Sequence, residues 1–483
     1  MKLLVIGIDG GDQEIIEAMD MPFTKSFFKE NVVHPVLEDL LDRGWAKVLS
    51  GVPASINGGL YMRPMLDGTV AMTQSYNAES LVQNPDVKAL WTKLNEGGQK
   101  VGIFNVPITN PCPKVDGFFV AGGGGGVSSA SDLDPSVIVF PESIAKTLAE
   151  DDFKFDLRLS LGEVKTTAEL VKELNDMAES RTKIFGKLCQ EFPVDFGFIC
   201  FRPPTEIQYL ARKDIDDIIT GGQGIRPEFR DEILDCYRVL DKSIEDAVKA
   251  SGADHIMFVS DHGTAPYRYR MCLNSWLEQQ GFLKRGIGDK GLKKHAIKLA
   301  KMWLPKGLKK NLKKGGPAYL KNNLSAFDAK RTQAFAPDRI LGIYLNDERF
   351  TGLVDSSEQR AELQAEIIGK INQDPAFKKM GLTAVPFRDD AADGPYKDTF
   401  PDIGFQGQVE VWPVEYGPLF CENPNYKNLP ESIVGLKNPN AGVRGAKPLL
   451  VSDAEIAKLV QADDKMDLTL AYKLIVRAFG IQA

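Results

Sequence analysis

The chain alternates short apolar runs with segments of helical spacing, and this alternation limits its fold more than any other feature. Runs that fit buried strands occur at Leu3–Ile8, Val101–Val106, Phe196–Phe201 and His255–Ser260. Helical spacing lies between or after them, at Gln13–Ala18, Val36–Arg43, Leu90–Gly97 and Pro227–Ala250. Such alternation predicts an α/β fold in which helices cover both faces of a mainly parallel sheet.

The pattern changes after residue 283. Residues 334–353 and 385–402 look like parts of a smaller α+β cap, and the helical segment Ser357–Gln373 lies between them. We therefore predict a core built from residues 1–283 and 403–483. Residues 284–402 are predicted to be an insertion that contains a lysine-rich helical segment and a smaller α+β cap.

Residues 290–321 are rich in lysine, contain no acidic residue, and carry apolar residues at amphipathic spacing. One interpretation is a cap helix with a solvated lysine face. The other is peripheral contact with an anionic membrane, or with a phosphate-bearing or lipid-linked substrate.

Overall composition excludes several classes of protein. The net charge of −7 gives no reason to expect nucleic acid as a partner, and no apolar run approaches the roughly 20 residues of a membrane span. The apolar N-terminus is too short for a signal peptide and lacks a cleavage site. The six cysteines are widely spaced, without a C-x-x-C pair, which favours reduced thiols and a cytoplasmic location.

Polar residues follow two of the predicted strands. Asp9 comes directly after Leu3–Ile8, and Asp261 and His262 follow His255–Ser260. Functional residues of parallel sheets gather at the carboxyl ends of strands, and carboxylates with neutral imidazole bind divalent ions. We predict a metal site here. The alternatives are that Asp9 caps the next helix and that Asp261 and His262 only bond their own loop.

Several segments together resemble one family: Ile6–Gly11, Leu90–Leu94 with Val101–Thr109, Ser260–Gly263, and Asn274–Leu283. Their order and spacing resemble the type I phosphodiesterase/nucleotide pyrophosphatase branch of the alkaline-phosphatase superfamily, over most of residues 1–402. The resemblance implies an alkaline-phosphatase-like core and two neighbouring divalent ions, usually zinc. It also implies a Thr or Ser nucleophile that forms a covalent phospho-enzyme.

The resemblance assigns one ion to Asp9, Asp261 and His262. The other ion needs an Asp, a His four residues later and a distant His. The matching positions hold Thr205, Tyr209 and Val443, so the second site is expected to be degenerate. Glu206, one residue out of register, is the alternative ligand, and Gln208 of the same motif is present.

The nucleophile loop also departs from the family pattern. The register places Asn57 at the nucleophile position, with Ser55 two residues before it. Three alternatives stay open: Asn57 contacts metal or phosphate, Ser55 is the nucleophile, or neither takes part. The arginines Arg63, Arg202 and Arg444 lie in the motif regions and either supply positive charge to the site or form structural ion pairs.

Together these features predict a divergent phosphoester hydrolase, or a phosphoryl or phosphodiester transferase, that uses a single ion. Zinc is the expected metal, with manganese, iron or calcium as alternatives, and the expected substrate is a phosphorylated small molecule. The alternative is a non-hydrolytic relative that binds a phosphorylated ligand or a partner, or carries out different metal chemistry.

Overall fold

The computed structural model describes residues 1–124, 137–151, 153, 166–222, 227–285, 327–407, 410–414, 417–433 and 440–483. Its helices are α1 Gln13–Ala18, α2 Pro22–Glu30, α3 Gly44–Ser50, α4 Ala54–Asn57, α5 Ala78–Leu81, α6 Leu90–Glu96, α7 Ile144–Glu150, α8 Thr167–Glu191, α9 Pro203–Ile219, α10 Pro227–Ser251, α11 Leu273–Gln279, α12 Ser357–Gln373, α13 Pro375–Lys379, α14 Ala454–Ala457 and α15 Thr469–Ala478.

The strands are β1 Leu3–Ile8, β2 Val32–Val33, β3 Arg63–Pro64, β4 Met72–Thr73, β5 Val101–Phe104, β6 Gly117–Val120, β7 Val139–Phe140, β8 Phe196–Phe201, β9 His255–Val259, β10 Gly263–Pro266, β11 Tyr269–Met271, β12 Ala334–Phe335, β13 Gly342–Leu345, β14 Leu382–Pro386, β15 Ile403–Gly407, β16 Val411–Pro413, β17 Phe420–Glu422, β18 Gly442–Gly445 and β19 Leu450–Ser452.

An eight-stranded sheet forms the centre of the molecule, in the order β2-β19-β9-β1-β8-β5-β6-β7. The five strands from β9 to β6 run parallel, and antiparallel strands complete both edges. The first strand lies in the middle, where Leu3 pairs with both Phe196 and His255. The mainly parallel sheet expected from the sequence is confirmed.

Side chains from neighbouring positions of one strand pack on helices of opposite faces. Phe118 of β6 contacts Phe185 of α8, with ring centroids 6.2 Å apart. The next residue, Phe119, packs edge-on against Trp91 of α6 at 5.3 Å. Because side chains alternate along a strand, α8 and α6 must cover different faces of the sheet. This explains why the central strands are apolar at every position rather than at every second one.

A second, smaller sheet in the order β12-β13-β15-β14 contacts α12 and α13. Its apolar residues form a hydrophobic cluster separate from that of the large sheet. The expected α+β cap is therefore present. The cluster also includes Met271 and Trp276, which precede residue 284, so the boundaries at 284 and 402 stay a prediction. The lysine-rich stretch 290–321 lies outside the described residues.

The stretch Val36–Arg43 has helical spacing but does not form a helix. Its acidic residues turn inward, where Lys47 lies 2.6 Å from Glu38 and 2.7 Å from Asp42. Burying these charges as ion pairs fixes an extended path. Within the described ranges, no helix is long and apolar enough to cross a membrane. All six cysteines are unbridged, as expected from their spacing.

Helix α3 packs tightly against the end of β9. A Cβ atom on Gly44 would lie 1.8 Å from the carbonyl oxygen of Asp261. Only glycine allows this approach, which brings the start of α3 to the polar edge of the sheet.

We expect Gly44→Ala to destabilise the protein by about 1–3 kcal/mol, because either α3 or the Asp261 backbone must move. Urea unfolding measures the change. Gly369→Ala, within α12, is the matched control. A Cβ atom there meets nothing within 4 Å, so that variant should gain about 0.5–1 kcal/mol. Equal stability of Gly44→Ala and the parent chain would contradict this packing.

Candidate metal centre

Asp9, Asp261 and His262 come together at the carboxyl edge of the large sheet. Asp9 follows β1, while Asp261 and His262 follow the adjacent parallel strand β9. Each residue offers a ligand atom, and these atoms all lie within 4.8 Å of one another. All three side chains are buried. The strand register therefore assembles the group that the sequence predicts as metal ligands.

Backbone and side-chain donors orient the two carboxyl groups. The Gly10 amide donates to Asp261 Oδ1 at 3.2 Å, and Trp45 Nε1 donates to Asp9 Oδ2 at 3.1 Å. Gly10 has a φ of +65°, and a Cβ atom there would lie 2.7 Å from Thr205 Oγ1. Glycine is thus needed for both the turn and the close packing.

The imidazole of His262 is held by its own loop. Nδ1 lies 2.7 Å from the carbonyl oxygen of Gly263, which requires Nδ1 to carry the proton. Nε2 then presents its lone pair, 3.5 Å from Asp261 Oδ2. A hydrogen bond that fixes the tautomer is typical of metal-binding histidines.

The environment gives the two carboxyl groups different acidities. Burial raises the pKa of Asp9, but the charge of Arg202, the charge of His262 when that ring is protonated, and hydrogen bonds from Thr205 and Trp45 outweigh it and lower that pKa. Burial, followed by the charge of Asp9, holds the pKa of Asp261 well above its usual range. A bound cation is what would let both carboxyl groups ionise together.

Burial, followed by repulsion from Arg444, lowers the pKa of His262 to about 4. The imidazole is therefore neutral at pH 7, which is the form that binds metals. Two carboxyl groups and a neutral imidazole suit zinc or a related divalent ion. This donor set fits the metal that the sequence predicts.

A second acidic group lies near α3 and consists of Glu38, Asp39 and Asp42. Lys47 Nζ lies 2.6 Å from Glu38 and 2.7 Å from Asp42, so an ammonium already provides the compensating charge. Burial, and then the charge of Asp39, raise the pKa of Asp42 to about 7. We interpret this group as a structural ion-pair network.

The positions that the family resemblance assigns to a second ion line the same cavity. Thr205 Oγ1 donates to Asp9 Oδ1, and Val443 contributes an apolar surface. The ring of Tyr209 lies parallel to that of His262, with centroids 6.3 Å apart and a 5° angle. These three side chains offer neither a carboxylate nor an imidazole to a second ion.

The two residues predicted to be catalytic are buried away from this cavity. Asn57 Nδ2 donates to Ser50 Oγ and to the Val52 carbonyl, each at 2.9 Å. Its Oδ1 accepts from the Gly59 amide at 2.7 Å. The amide therefore has a structural role that holds the loop.

Ser55 faces the cap. Its carbonyl accepts a hydrogen bond from the Tyr396 amide at 3.0 Å, and its side chain is buried. Neither Ser55 nor Asn57 is among the residues that line the cavity. Their catalytic role stays a prediction that their placement does not support.

Of the other residues considered from the sequence, Arg202 and Arg444 line the cavity, whereas Glu206 and Arg63 do not. Further lining residues, which the sequence did not reveal, come from segments distant in the chain, namely Arg43, Trp45, Gln74, Tyr267, Trp412 and Asn440. No local spacing pattern marks them, because tertiary packing alone brings them to the cavity.

The family of the chain follows from comparison with known proteins. Residues 3–332 match the family described as type I phosphodiesterase / nucleotide pyrophosphatase. The chain belongs to this family. The matched range contains Asp9, Thr205, Tyr209, Asp261 and His262, but not Val443.

The chain shares its fold with phosphonoacetate hydrolase. Phosphonoacetate hydrolase from Sinorhizobium meliloti 1021, in complex with phosphonoformate, is 12% identical with a TM-score of 0.56; the alignment covers 100% of this chain and 96% of that chain. Murine ectonucleotide pyrophosphatase / phosphodiesterase 5 is also 12% identical, with a TM-score of 0.46; that alignment likewise covers 100% of this chain and 96% of the murine chain. A comparison with curated protein sequences finds no significant match.

Membership of the type I phosphodiesterase / nucleotide pyrophosphatase family places the chain among phosphodiesterase- and pyrophosphatase-type hydrolases. This family membership also agrees with the alkaline-phosphatase-like fold and with a group of possible metal ligands at the carboxyl edge of the sheet. Fold and family alone do not specify the reaction, since one fold carries many chemistries.

Removing one carboxylate should abolish metal binding. We expect Asp261→Ala to lower the metal content of the purified protein from about one equivalent to background, because two ligands hold a divalent ion poorly. Elemental analysis by mass spectrometry measures this. Asp86→Ala, at an exposed loop position, is the control and should keep its metal. Unchanged metal in Asp261→Ala would show that the ion binds elsewhere.

Proposed function

We propose that the chain is a phosphoester hydrolase, or a phosphoryl or phosphodiester transferase, that uses a single metal ion. The observation that carries this proposal is the placement of Asp9, Asp261 and His262 at a cavity whose second-site positions hold no metal ligand. Family membership supplies the class of reaction, and the expected substrate is a phosphorylated small molecule.

The proposed ion is zinc, with manganese, iron or calcium as alternatives that accept the same donor set. When bound, such an ion would polarise a phosphoryl oxygen and stabilise charge in the transition state. The remaining work falls to the protein. Trp45 and the Gly10 amide hold the two carboxylates, and the Gly263 carbonyl fixes the imidazole.

Thr205 is the residue best placed to act as a nucleophile. Among the described residues that line the cavity, it alone has an aliphatic hydroxyl group. Its Oγ1 donates to Asp9 Oδ1, so a proton acceptor is already in contact. The lowered pKa of Asp9 keeps that acceptor ionised, although it also makes the carboxylate a weak base.

In the proposed reaction, a bond forms between Thr205 Oγ1 and phosphorus while the bond to the leaving oxygen breaks. The hydroxyl proton passes to Asp9, and the leaving oxygen takes a proton from water. The hydroxide left behind then attacks the phosphorus of the Thr205 phosphoester, and the Thr205 oxygen leaves with the proton held by Asp9. Alternatively, an acceptor alcohol attacks the phosphorus and gives its proton to that hydroxide, which would make the enzyme a transferase.

Aromatic side chains in the cavity suit the part of a substrate that is attached to its phosphate group. Tyr61, Tyr267 and Trp412 line the cavity together with Pro107 and Ile108. Such walls favour a ligand with an apolar or aromatic group attached to its phosphate. A lipid-linked substrate, anionic membrane contact through residues 290–321 and a cytoplasmic location stay predictions.

A non-hydrolytic relative is the second candidate, favoured by the stacking of Tyr209 on His262. The phenol ring lies parallel to the imidazole, and the residue that carries it occupies a position that the family resemblance assigns to a ligand of the second ion. A single ion balances less of the negative charge of the transition state than two ions do. The cavity would then bind a phosphorylated ligand or a partner without turnover, or host different metal chemistry.

Metal stoichiometry and turnover distinguish the two candidates. We expect about one equivalent of ion per chain and slow hydrolysis of bis-p-nitrophenyl phosphate that stops after treatment with EDTA. One equivalent without turnover would favour the binding protein. Two equivalents with rapid turnover would contradict the single-ion site.

The role of Thr205 is tested by two substitutions. Thr205→Ala should lower kcat at least roughly 100-fold, whereas Thr205→Ser keeps a hydroxyl and should retain most activity. Acid-quenched protein should carry a phosphoryl group on Thr205 during turnover, which mass spectrometry detects. Ser55→Ala is the control and should behave like the parent chain. Full activity of Thr205→Ala would rule out this nucleophile.

A further inference from the structure

Three guanidinium groups, from Arg43, Arg202 and Arg444, line the cavity beside the metal-binding residues. Two of them already have partners in the protein. Arg43 Nη2 donates to the carbonyls of Tyr61 at 2.9 Å and Gln74 at 2.7 Å. Arg202 Nε lies 3.6 Å from Asp9 Oδ2 and so balances that carboxylate. Their positive charges are largely committed to the protein itself.

Arg444 differs from these two. Its Nη2 donates to the Asp42 carbonyl at 2.9 Å, which anchors the side chain. Its Nε and Nη1 are buried and have no hydrogen-bond partner among the described residues. The side chain is only 7% exposed. A buried charged donor without a partner is costly, so two unpaired nitrogens on a residue that lines a cavity point to an anionic ligand.

The surroundings hold this guanidinium in place. Its central carbon lies 5.2 Å from the centroid of the Tyr61 ring, a distance that permits a cation–π contact. The backbone is fixed as well, because β18 pairs with β10 and Arg444 lies opposite Thr264. Little conformational entropy would therefore be lost when a ligand binds.

The position of Arg444 in the sequence suggests that its charge takes the place of the second metal ion. It directly follows Val443, which by resemblance occupies the position of the distant histidine of the second ion. It also lies close enough to His262 for its charge to depress the imidazole pKa. The guanidinium and the metal-binding residues thus border the same space, where the oxygens of a single phosphoryl group could be shared.

We infer that Arg444 is the anchor of an oxyanion site that binds the phosphoryl group of the ligand and replaces the second metal ion. The ligand class rests on the proposed function. Arginine suits this role because its planar donors match phosphate oxygens and its charge persists at all relevant pH values. In such a site, anion binding does not require a bound metal.

Isothermal titration calorimetry of the EDTA-treated, full-length chain with inorganic phosphate tests this inference. We expect the parent chain to bind phosphate and Arg444→Gln to bind roughly 10- to 100-fold more weakly, the effect of losing hydrogen bonds to a charged group. Arg63→Gln is the matched control. It removes the same charge from a half-buried arginine outside the cavity and should leave the affinity within about twofold.

A second variant guards against misfolding. If Arg444→Gln does not unfold cooperatively on heating, Arg444→Lys is measured instead. This variant keeps the charge but loses the planar donors, and weaker phosphate binding by it supports the inference.

Titration with phenyl phosphate distinguishes two sources of the anion. Tighter binding than inorganic phosphate would identify the ligand as the phosphoryl group of a larger molecule, and equal binding would identify free phosphate.

Two results would overturn the inference. One is equal phosphate affinity of Arg444→Gln and the parent chain, and the other is phosphate binding by the parent chain only after metal is added. Either leaves single-metal catalysis intact. Conversely, Arg444-dependent phosphate binding by a metal-loaded protein without turnover would refute the proposed hydrolase and retain the anion site.

Discussion

Two carboxyl groups, Asp9 and Asp261, are buried side by side, and the arrangement of the site depends on how their repulsion is balanced. Their ligand atoms lie within 4.8 Å of those of His262, in a region shielded from solvent. Charges that close are costly to desolvate unless a cation or donors compensate them. The protein supplies donors from Trp45 and Gly10, and the remaining charge is the basis for binding a metal.

The sheet makes this arrangement stable. Because β1 lies between β8 and β9, its end meets the polar ends of two neighbours at one edge. Helix α3 closes that edge through the contact of Gly44 with the Asp261 backbone. Positions of the site are therefore set by strands and buried helices rather than by mobile loops, which favours a fixed ligand geometry.

Sequence patterns predicted the parts of the molecule that depend on local order. The apolar runs predicted β1 and β8 with the observed bounds. The polar residues that follow β1 and β9, namely Asp9, Asp261 and His262, lie together in the fold, and their role as metal ligands stays a prediction. Parallel strands bring their ends together, so a pattern along the chain translates directly into proximity.

Where the patterns failed, tertiary contacts decided the outcome. The helical spacing of Val36–Arg43 was overridden by ion pairs with Lys47. The alignment of the nucleophile loop pointed to Asn57, whose amide bonds its own loop, so its catalytic role stays a prediction without structural support. Arg43 and Trp412 reach the cavity through packing between segments far apart in sequence, and nothing in their local surroundings signals this.

The separation of Thr205, Tyr209 and Val443 has an evolutionary consequence. The first two lie on α9 and the third on β18, two elements that pack together around the cavity. Restoring any one ligand would leave an incoming ion with too few partners to hold it, so single substitutions would give no selectable gain. With Tyr209 stacked on His262, a return to a two-ion enzyme would need coordinated change in both elements. Under the proposed single-ion site, such a change would be hard to reverse, and later adaptation of the protein would be confined to chemistry around one ion.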